Sequence, residues 1–240
     1  MTRTARVSLV AMTIVAAGVC TSLGLWQGRR LAARRAANVE ALAGRTQAVV
    51  DLNLEPLSAA GPQRRLRATG VFDHARTFVL RGRSDRDVPG VHVVVPLLLD
   101  GRLEAILVNR GFVPAHDAVR PDYAWDQTER VTVEGIAFPV PVTADSGTPL
   151  ALDGSTTWHR LDLGAVRARL PYPVSDLMLH QTEPDPRPEG ASPYPRLATL
   201  PTLDDGPHLS YMIQWFGLAA ASLAFGVIFG VRGGGVRSEK

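Results

Sequence analysis

A histidine, a glutamine and two aromatic residues lie together where a long apolar run begins near the C-terminus. The stretch HLSYMIQWFGLAAA starts with His208, just ahead of that run. If a helix begins near Pro207, then His208, Tyr211 and Trp215 fall on one helical face. Tyrosine and tryptophan are common at the water interface of any membrane helix and need no further function there. His208 is explained less well by that placement.

Gln214 lies several residues deeper in the same run. An amide facing lipid at that depth is costly, so polar groups there usually face another helix or a bound group. Imidazole is a common axial ligand of haem iron, and an apolar span with an aromatic rim offers a place for a porphyrin at the membrane surface. The residues alone leave two interpretations of His208 open: an ordinary interfacial histidine, or a functional histidine of the kind that binds haem iron.

Two apolar runs without charged residues occupy the two ends of the 240-residue chain, at about residues 7–25 and 209–231. Each has about 20 residues, enough for a helix to cross roughly 30 Å of hydrocarbon. We predict a cytoplasmic tail at 1–6, a transmembrane helix at 7–27, an extracytoplasmic mainly β domain at 28–208, a second transmembrane helix at 209–231 and a cytoplasmic tail at 232–240.

The first run must be distinguished from a cleaved signal peptide, because Arg3 and Arg6 precede it. It is longer than a usual signal core and lacks a convincing small-residue cleavage site, so we expect it to be retained. Charges at the two tails favour cytoplasmic termini, whereas four arginines after the first run argue the opposite; short tails are the better guide. Without a mitochondrial-type leader, we expect the bacterial plasma (inner) membrane.

The pattern predicts an α+β membrane protein, with two transmembrane helices as a hairpin flanking a mainly β extracytoplasmic domain. Residues 28–44 continue the first helix as a basic segment, and residues 163–170 form a short second helix. Asp100-Gly101 between two apolar runs predicts a β-hairpin. Residues rich in β-branched side chains predict strands at 66–72, 77–81, 91–99, 103–112, 131–138, 157–161 and 175–181, followed by a proline-rich loop at 183–201.

Small residues on both apolar runs predict close packing of the two helices. Gly24 and Gln27 lie one turn apart on the first, and Ser222, Gly226 and Gly230 form a ridge on the second. Small residues at such spacing let helix backbones approach each other in membranes. The ridge therefore predicts packing and says little about a ligand.

Several function classes lack support in the sequence. Cys20 is the only cysteine, which excludes an intramolecular disulfide or a thiolate metal cluster within one chain. We find no nucleophile elbow, phosphate-binding loop or zinc-binding histidine pair, so we predict that the protein is not an enzyme. The basic cluster Arg29, Arg30, Arg34 and Arg35 borders a membrane helix, which favours contact with lipid headgroups over nucleic acid.

Three motifs resemble those of the Surf1 (Shy1) family, assembly factors for haem-copper cytochrome c oxidase. LGLWQGRRLAAR resembles the signature at the first span. VPGVHVVVPLLL followed by LVNRGFVP resembles the central blocks, with Phe112 where tryptophan is usual. HLSYMIQWFGLA resembles the signature at the second span. Asn109, Arg110 and Gly111 fall in the central block, where a strand end with a tight turn is the alternative to a direct role.

The resemblance implies an assembly factor that binds haem a and aids its insertion into the catalytic subunit of the oxidase. It implies that the partners are this subunit and membrane lipid, with the haem a synthesis machinery as a further candidate. If haem is bound, Arg29 and Arg30 are candidates to pair with its propionates, with lipid phosphates as the alternative partners. The implied cofactor-binding residues are His208, as the axial iron ligand, with Tyr211, Gln214, Trp215, Trp26 and Gln27.

Two other functions are compatible with the sequence. The first is a protein-only scaffold that stabilises an oxidase subunit intermediate without binding haem. The second is a membrane-anchored hydrolase whose site lies among the carboxylates and histidines between the two runs.

Overall fold

The computed structural model describes residues 2–56, 60–115, 129–142, 149–152, 155–184 and 192–231. The chain divides into two units, one formed by Met1–Glu40 with Leu203–Lys240 and the other by Ala41–Thr202. The first unit consists of helices. The second consists mainly of strands.

Three α-helices occur in the described residues: α1 at Arg3–Thr46, α2 at Leu163–Arg167 and α3 at His208–Val231. The 44 residues of α1 make a rod roughly 66 Å long at 1.5 Å per residue. Helix α1 therefore continues well beyond the first apolar run, as the basic pattern of residues 28–44 predicts. Both α1 and α3 contain segments long and apolar enough to cross a membrane.

Helices α1 and α3 run antiparallel and touch through small residues. A Cβ atom on Gly24 would lie 2.9 Å from the Phe216 ring, and one on Gly230 would lie 2.6 Å from Val10 Cγ2. A Cβ on Gly226 would collide with the side chain of Thr13. Contacts this close admit no larger residue, which confirms the predicted role of Gly24, Gly226 and Gly230 in helix packing.

The second unit contains nine strands in the part that the structure describes. In chain order they are β1 Val50–Asp51, β2 Arg65–Phe72, β3 Phe78–Asp85, β4 Val88–Leu99, β5 Ala105–Pro114, β6 Arg130–Pro139, β7 Leu150–Leu152, β8 Ser155–Trp158 and β9 Val174–Gln181. The seven predicted strands are all present, with shifted ends. The two-residue β1 and the short β7 are too brief to carry an alternating pattern.

Five of the strands close into a barrel. The hydrogen-bonded order is β2, β6, β9, β5 and β4, and β4 pairs with β2 again through Leu97–Leu99 and Gly70–Phe72. Gly70 permits this closure, because a Cβ there would collide with the Leu98 carbonyl. Alternate residues of each barrel strand point inward and form an apolar core.

The remaining elements extend this barrel. Strand β3 pairs with β4, and β8 and β7 follow it, so the sheet continues past the closed ring. Helix α2 contributes Leu163 and Val166 to a second apolar cluster outside the barrel, together with Phe78 and Trp158. The Asp162 carboxylate starts this helix by accepting a 3.0 Å hydrogen bond from the Ala165 N–H.

The central motif, Asn109 to Gly111, forms a β-bulge inside strand β5. The alternative considered from the sequence was a strand end with a tight turn. Asn109 Oδ1 accepts a 3.1 Å hydrogen bond from the Gly111 N–H, and Gly111 has φ +118°. Its bulge lets Phe112 pair with Arg196 through two backbone hydrogen bonds of 2.7 and 2.8 Å. The part of the predicted 183–201 loop around Arg196 is therefore fastened to the barrel, and residues 185–191 lie outside the described residues.

The Asp100-Gly101 hairpin is confirmed as the connection between β4 and β5, with Gly101 at φ +72°. Helix α2 is shorter than its prediction, ending at Arg167. Strand β8 ends at Trp158, three residues earlier than expected.

We predict that Gly111→Ala destabilises the protein much more than Gly101→Ala. Both glycines have positive φ, which costs an alanine about 1 kcal/mol. Only at Gly111 would the new Cβ collide with a backbone carbonyl, that of Arg196, while Gly101 has open space. We expect Gly111→Ala to lose about 3 kcal/mol or more of unfolding free energy, measured by denaturant titration of the full chain in detergent. Equal losses for the two variants would contradict the bulge contact.

Candidate functional site

His208 and Gln27 form the central contact of the candidate site. His208 Nδ1 lies 2.9 Å from Gln27 Oε1, although the two residues are 181 positions apart in the chain. His208 is the first residue of α3, and the chain enters the helix through Gly206 at φ +63°. The Tyr211 N–H donates a 3.1 Å hydrogen bond to the Pro207 carbonyl, so the first turn forms directly after Pro207.

Gln27 belongs to the buried stripe of α1. The buried residues of this stripe are spaced by three, four or seven positions, that is, by one or two helical turns, and they are Thr13, Ala17, Gly24, Gln27 and Leu31. The Gln27 side chain is only 9 % exposed. Because a buried amide needs a hydrogen-bond partner, the His208 ring gives this polar residue a reason to lie on an otherwise apolar stripe.

The other residues suggested by the motifs lie on the outside of the helix pair. Trp26 is 52 % exposed and Tyr211 is 46 % exposed. Gln214 is exposed and Trp215 is half-buried. The structure thus brings His208 and Gln27 together and leaves Trp26, Tyr211 and Gln214 open to whatever surrounds the helices. Of the two expectations for Gln214, its exposure does not match contact with the neighbouring helix, and contact with a bound group stays a prediction.

Two of the four arginines after the apolar run contact the segment that leads into α3. Arg35 approaches Asp205 at 2.6 Å, and Arg34 approaches Asp204 at 3.5 Å. The Asn38 amide also donates a 2.8 Å hydrogen bond to the Asp204 carbonyl. Hydrogen bonding to Arg35 lowers the pKa of Asp205. These two ion pairs were not predicted from the sequence. The sequence shows only that two adjacent acidic residues precede α3 and that two adjacent arginines lie on α1.

The one imidazole at the site, that of His208, suits a metal whose other ligands come from a prosthetic group. The described histidine, cysteine and acidic residues form no group of three that would hold a metal ion. A single imidazole remains at the helix junction, and its Nε2 edge lies beside Gly206, where a Cβ would be 4.0 Å from Nε2. Haem iron requires only one or two axial ligands from the protein, so a single half-buried imidazole fits it.

A second set of polar side chains lies on the outer face of the barrel. Asn109 is 2 % exposed and neighbours His180 of β9 in the strand register. His92 Nδ1 makes a long contact of 3.5 Å with the Asn109 amide nitrogen. The His180 ring packs at 4.4 Å on Phe138. Burial is the main cause that lowers the pKa of His92 and of His180 to about 4, and the charge of Arg83 contributes to the shift at His92.

The chain combines two helices long enough to span a membrane with a closed β-barrel domain, and a histidine of one helix contacts the other. These features define a class of two-helix proteins with a β-barrel domain between the helices in sequence. The model of the SURF1 family matches residues 14–220, so this chain belongs to the SURF1 family, whose members are oxidase assembly factors. The chain is similar to a SURF1-like protein of Monosiga brevicollis, with 29 % identity over 246 residues, 95 % of this chain and 88 % of that protein. The resemblance drawn from the three motifs is confirmed.

We predict that Gly226→Val weakens the contact between α1 and α3, whereas Gly217→Val on the same helix does not. A side chain at 226 would collide with Thr13, but nothing lies within 4 Å of a Cβ at 217. We expect the first change to cost about 1–3 kcal/mol and the second less than about 0.5 kcal/mol. Thermal unfolding of the helical signal in detergent measures both, and indistinguishable midpoints would contradict the packing.

We also predict that the barrel loses stability as pH falls from 6.5 towards 4. His92 and His180 have folded pKa values of about 4. The unfolded chain, with an ordinary histidine pKa near 6.5, therefore binds more protons in that window. Each residue should remove roughly 2 kcal/mol of unfolding free energy by pH 5.

The measurement is denaturant unfolding of the full chain between pH 7 and pH 5. The double change His92→Gln with His180→Gln should flatten this pH dependence, and the same change at the exposed His159 should leave it in place. An unchanged slope in the double variant would show that other groups cause the acid sensitivity.

Proposed function

We propose that this protein is a haem-binding assembly factor for cytochrome c oxidase, in which His208 coordinates the iron of haem a. The observation that supports it best is the 2.9 Å contact between His208 Nδ1 and Gln27 Oε1. This contact fixes the imidazole at the junction of the two helices. Membership of a family of oxidase assembly factors supports the same role.

The surroundings of His208 suit a large, flat and mainly apolar ligand. Bound haem a supplies the iron to which an axial imidazole coordinates. Exposed Trp26 and Tyr211 offer aromatic surface near the same end of the helix pair, and half-buried Trp215 lies two turns into α3. Arg29 and Arg30 are exposed, which leaves them available for propionates or lipid phosphates.

We place both helices across a membrane, with the barrel domain on one side. Antiparallel α1 and α3 put the two chain ends on the same side, and the apolar side chains that cover their outer surface suit lipid. Positive charges in the tails favour the cytoplasm for these ends and the opposite side for the barrel. Location of the protein in a bacterial plasma membrane remains a prediction from the sequence.

The partner in this proposal is the catalytic subunit of the oxidase, which receives the haem. The haem a synthesis machinery is the source from which the cofactor would come. In this role the protein binds and transfers a group, and no chemical conversion of a substrate is required of its side chains. A scaffold that binds only protein would share the family and the fold, so haem content decides between the two.

The test is the haem content of the full chain purified in detergent from cells that make haem a. We expect wild type to carry haem with an absorption spectrum that depends on His208. His208→Ala should lower the haem per protein about tenfold or more, because the axial ligand is lost. His159→Ala, at an exposed site in the barrel unit, should keep the wild-type content.

Circular dichroism of each variant separates ligand loss from unfolding. Wild type free of haem under these conditions would overturn the haem-binding role and leave the protein-only scaffold. Haem retained in full by folded His208→Ala would assign the iron ligand to another residue.

A further inference from the structure

The contact between Gln27 and His208 determines which imidazole nitrogen carries the proton. The amide oxygen of glutamine accepts hydrogen bonds and cannot donate one. Gln27 Oε1 lies 2.9 Å from His208 Nδ1, so Nδ1 must be the donor. A neutral ring with its proton on Nδ1 has a free lone pair on Nε2.

The environment of the contact keeps this arrangement in place. Gln27 is buried on the face of α1 that touches α3, and its neighbours Gly24 and Gly28 lie against Phe216 and Met212. Gln27 is therefore packed where the two helices meet.

The chain ahead of the histidine is also anchored. Three residues before His208, Asp205 binds Arg35 through contacts of 2.6 and 3.0 Å. The start of α3 is thus fixed to α1 on both sides of Pro207.

We propose that Gln27 is a positioning residue that holds His208 in the Nδ1–H tautomer and so presents Nε2 to an iron atom. The identity of the iron group rests on the proposed function, whereas the tautomer does not. Histidines that bind metals usually donate their other ring N–H to an acceptor, which orients the ring and raises its basicity. His208 is itself only half-buried.

The tautomer is measured without any haem by nitrogen-15 NMR of the imidazoles in the full chain in detergent. His208→Ala identifies the His208 signals by their disappearance. We expect wild type to show the proton on Nδ1. Gln27→Leu removes the acceptor and should populate the Nε2–H form, whereas Gln27→Glu keeps an acceptor and should retain Nδ1–H.

Gln47→Leu makes the same chemical change at an exposed glutamine and should leave the His208 signals as in wild type. The wild-type spectrum with its proton on Nε2, or a folded Gln27→Leu with an unchanged tautomer, would overturn the assignment. If Gln27→Leu fails to fold, the wild-type and Gln27→Glu spectra still decide the tautomer.

The second measurement uses haem a added to the purified chain. Gln27→Leu should bind it about tenfold more weakly than wild type, with a changed axial-ligand signal in resonance Raman spectra, as expected when the partner of a metal-binding histidine is removed. Gln27→Glu should recover the spectrum and most of the affinity.

The two proposals fail in different ways. If wild type binds no haem, the proposed function falls and the NMR result still stands. If wild type binds haem through His208 while Gln27→Leu matches it in affinity and spectrum, the positioning role of Gln27 is overturned and the proposed function remains.

Discussion

The close approach of α1 and α3 is the constraint on which the candidate site depends. If the two helices span a membrane, as proposed, close packing and hydrogen bonds are what hold them together, because lipid gives no hydrophobic attraction between them. Gly24, Gly226 and Gly230 give room for that packing because their missing side chains face a ring, a threonine and a valine. Only at this distance does the Gln27 amide reach the His208 imidazole. The apolar packing and the polar contact therefore stabilise each other, and a larger residue at one of these glycines disturbs both.

The barrel explains much of the central motif without giving it a direct part in ligand binding. Its interior is filled by alternating valine, leucine and other apolar side chains in the part that the structure describes. Asn109 uses its amide oxygen for the Gly111 N–H, and the resulting bulge joins β5 to the segment at Arg196. His92 and His180 lie on the outer face, where burial keeps them neutral at ordinary pH.

Local patterns predicted the elements, because alternation, β-branched residues and apolar length act over a few positions. They predicted both long helices, the strands of the barrel and the turn at Gly101. Barrel closure was not predictable in this way, since the pairing of β2 with both β6 and β4 depends on a long-range register. The same limit applies to the site. Gln27 and His208 were each suggested by a motif as cofactor contacts, but their contact with one another depends on the antiparallel register of two helices 181 residues apart. The Arg35–Asp205 pair, 170 residues apart, was missed for this reason.

A glutamine rather than an acid beside His208 has a physical rationale. A carboxylate on the buried stripe would also accept from Nδ1, but removing a charge from water is costly unless it is fully paired. The amide supplies the acceptor while remaining neutral, so the ring is oriented without adding a charge between two apolar helices. Charged groups instead occupy the exposed end, where Arg34 and Arg35 face Asp204 and Asp205. Ion pairs tie the segment before α3 to α1, and a neutral hydrogen bond orients the imidazole at the first residue of α3. This separation lets one histidine be held firmly while its second nitrogen stays free.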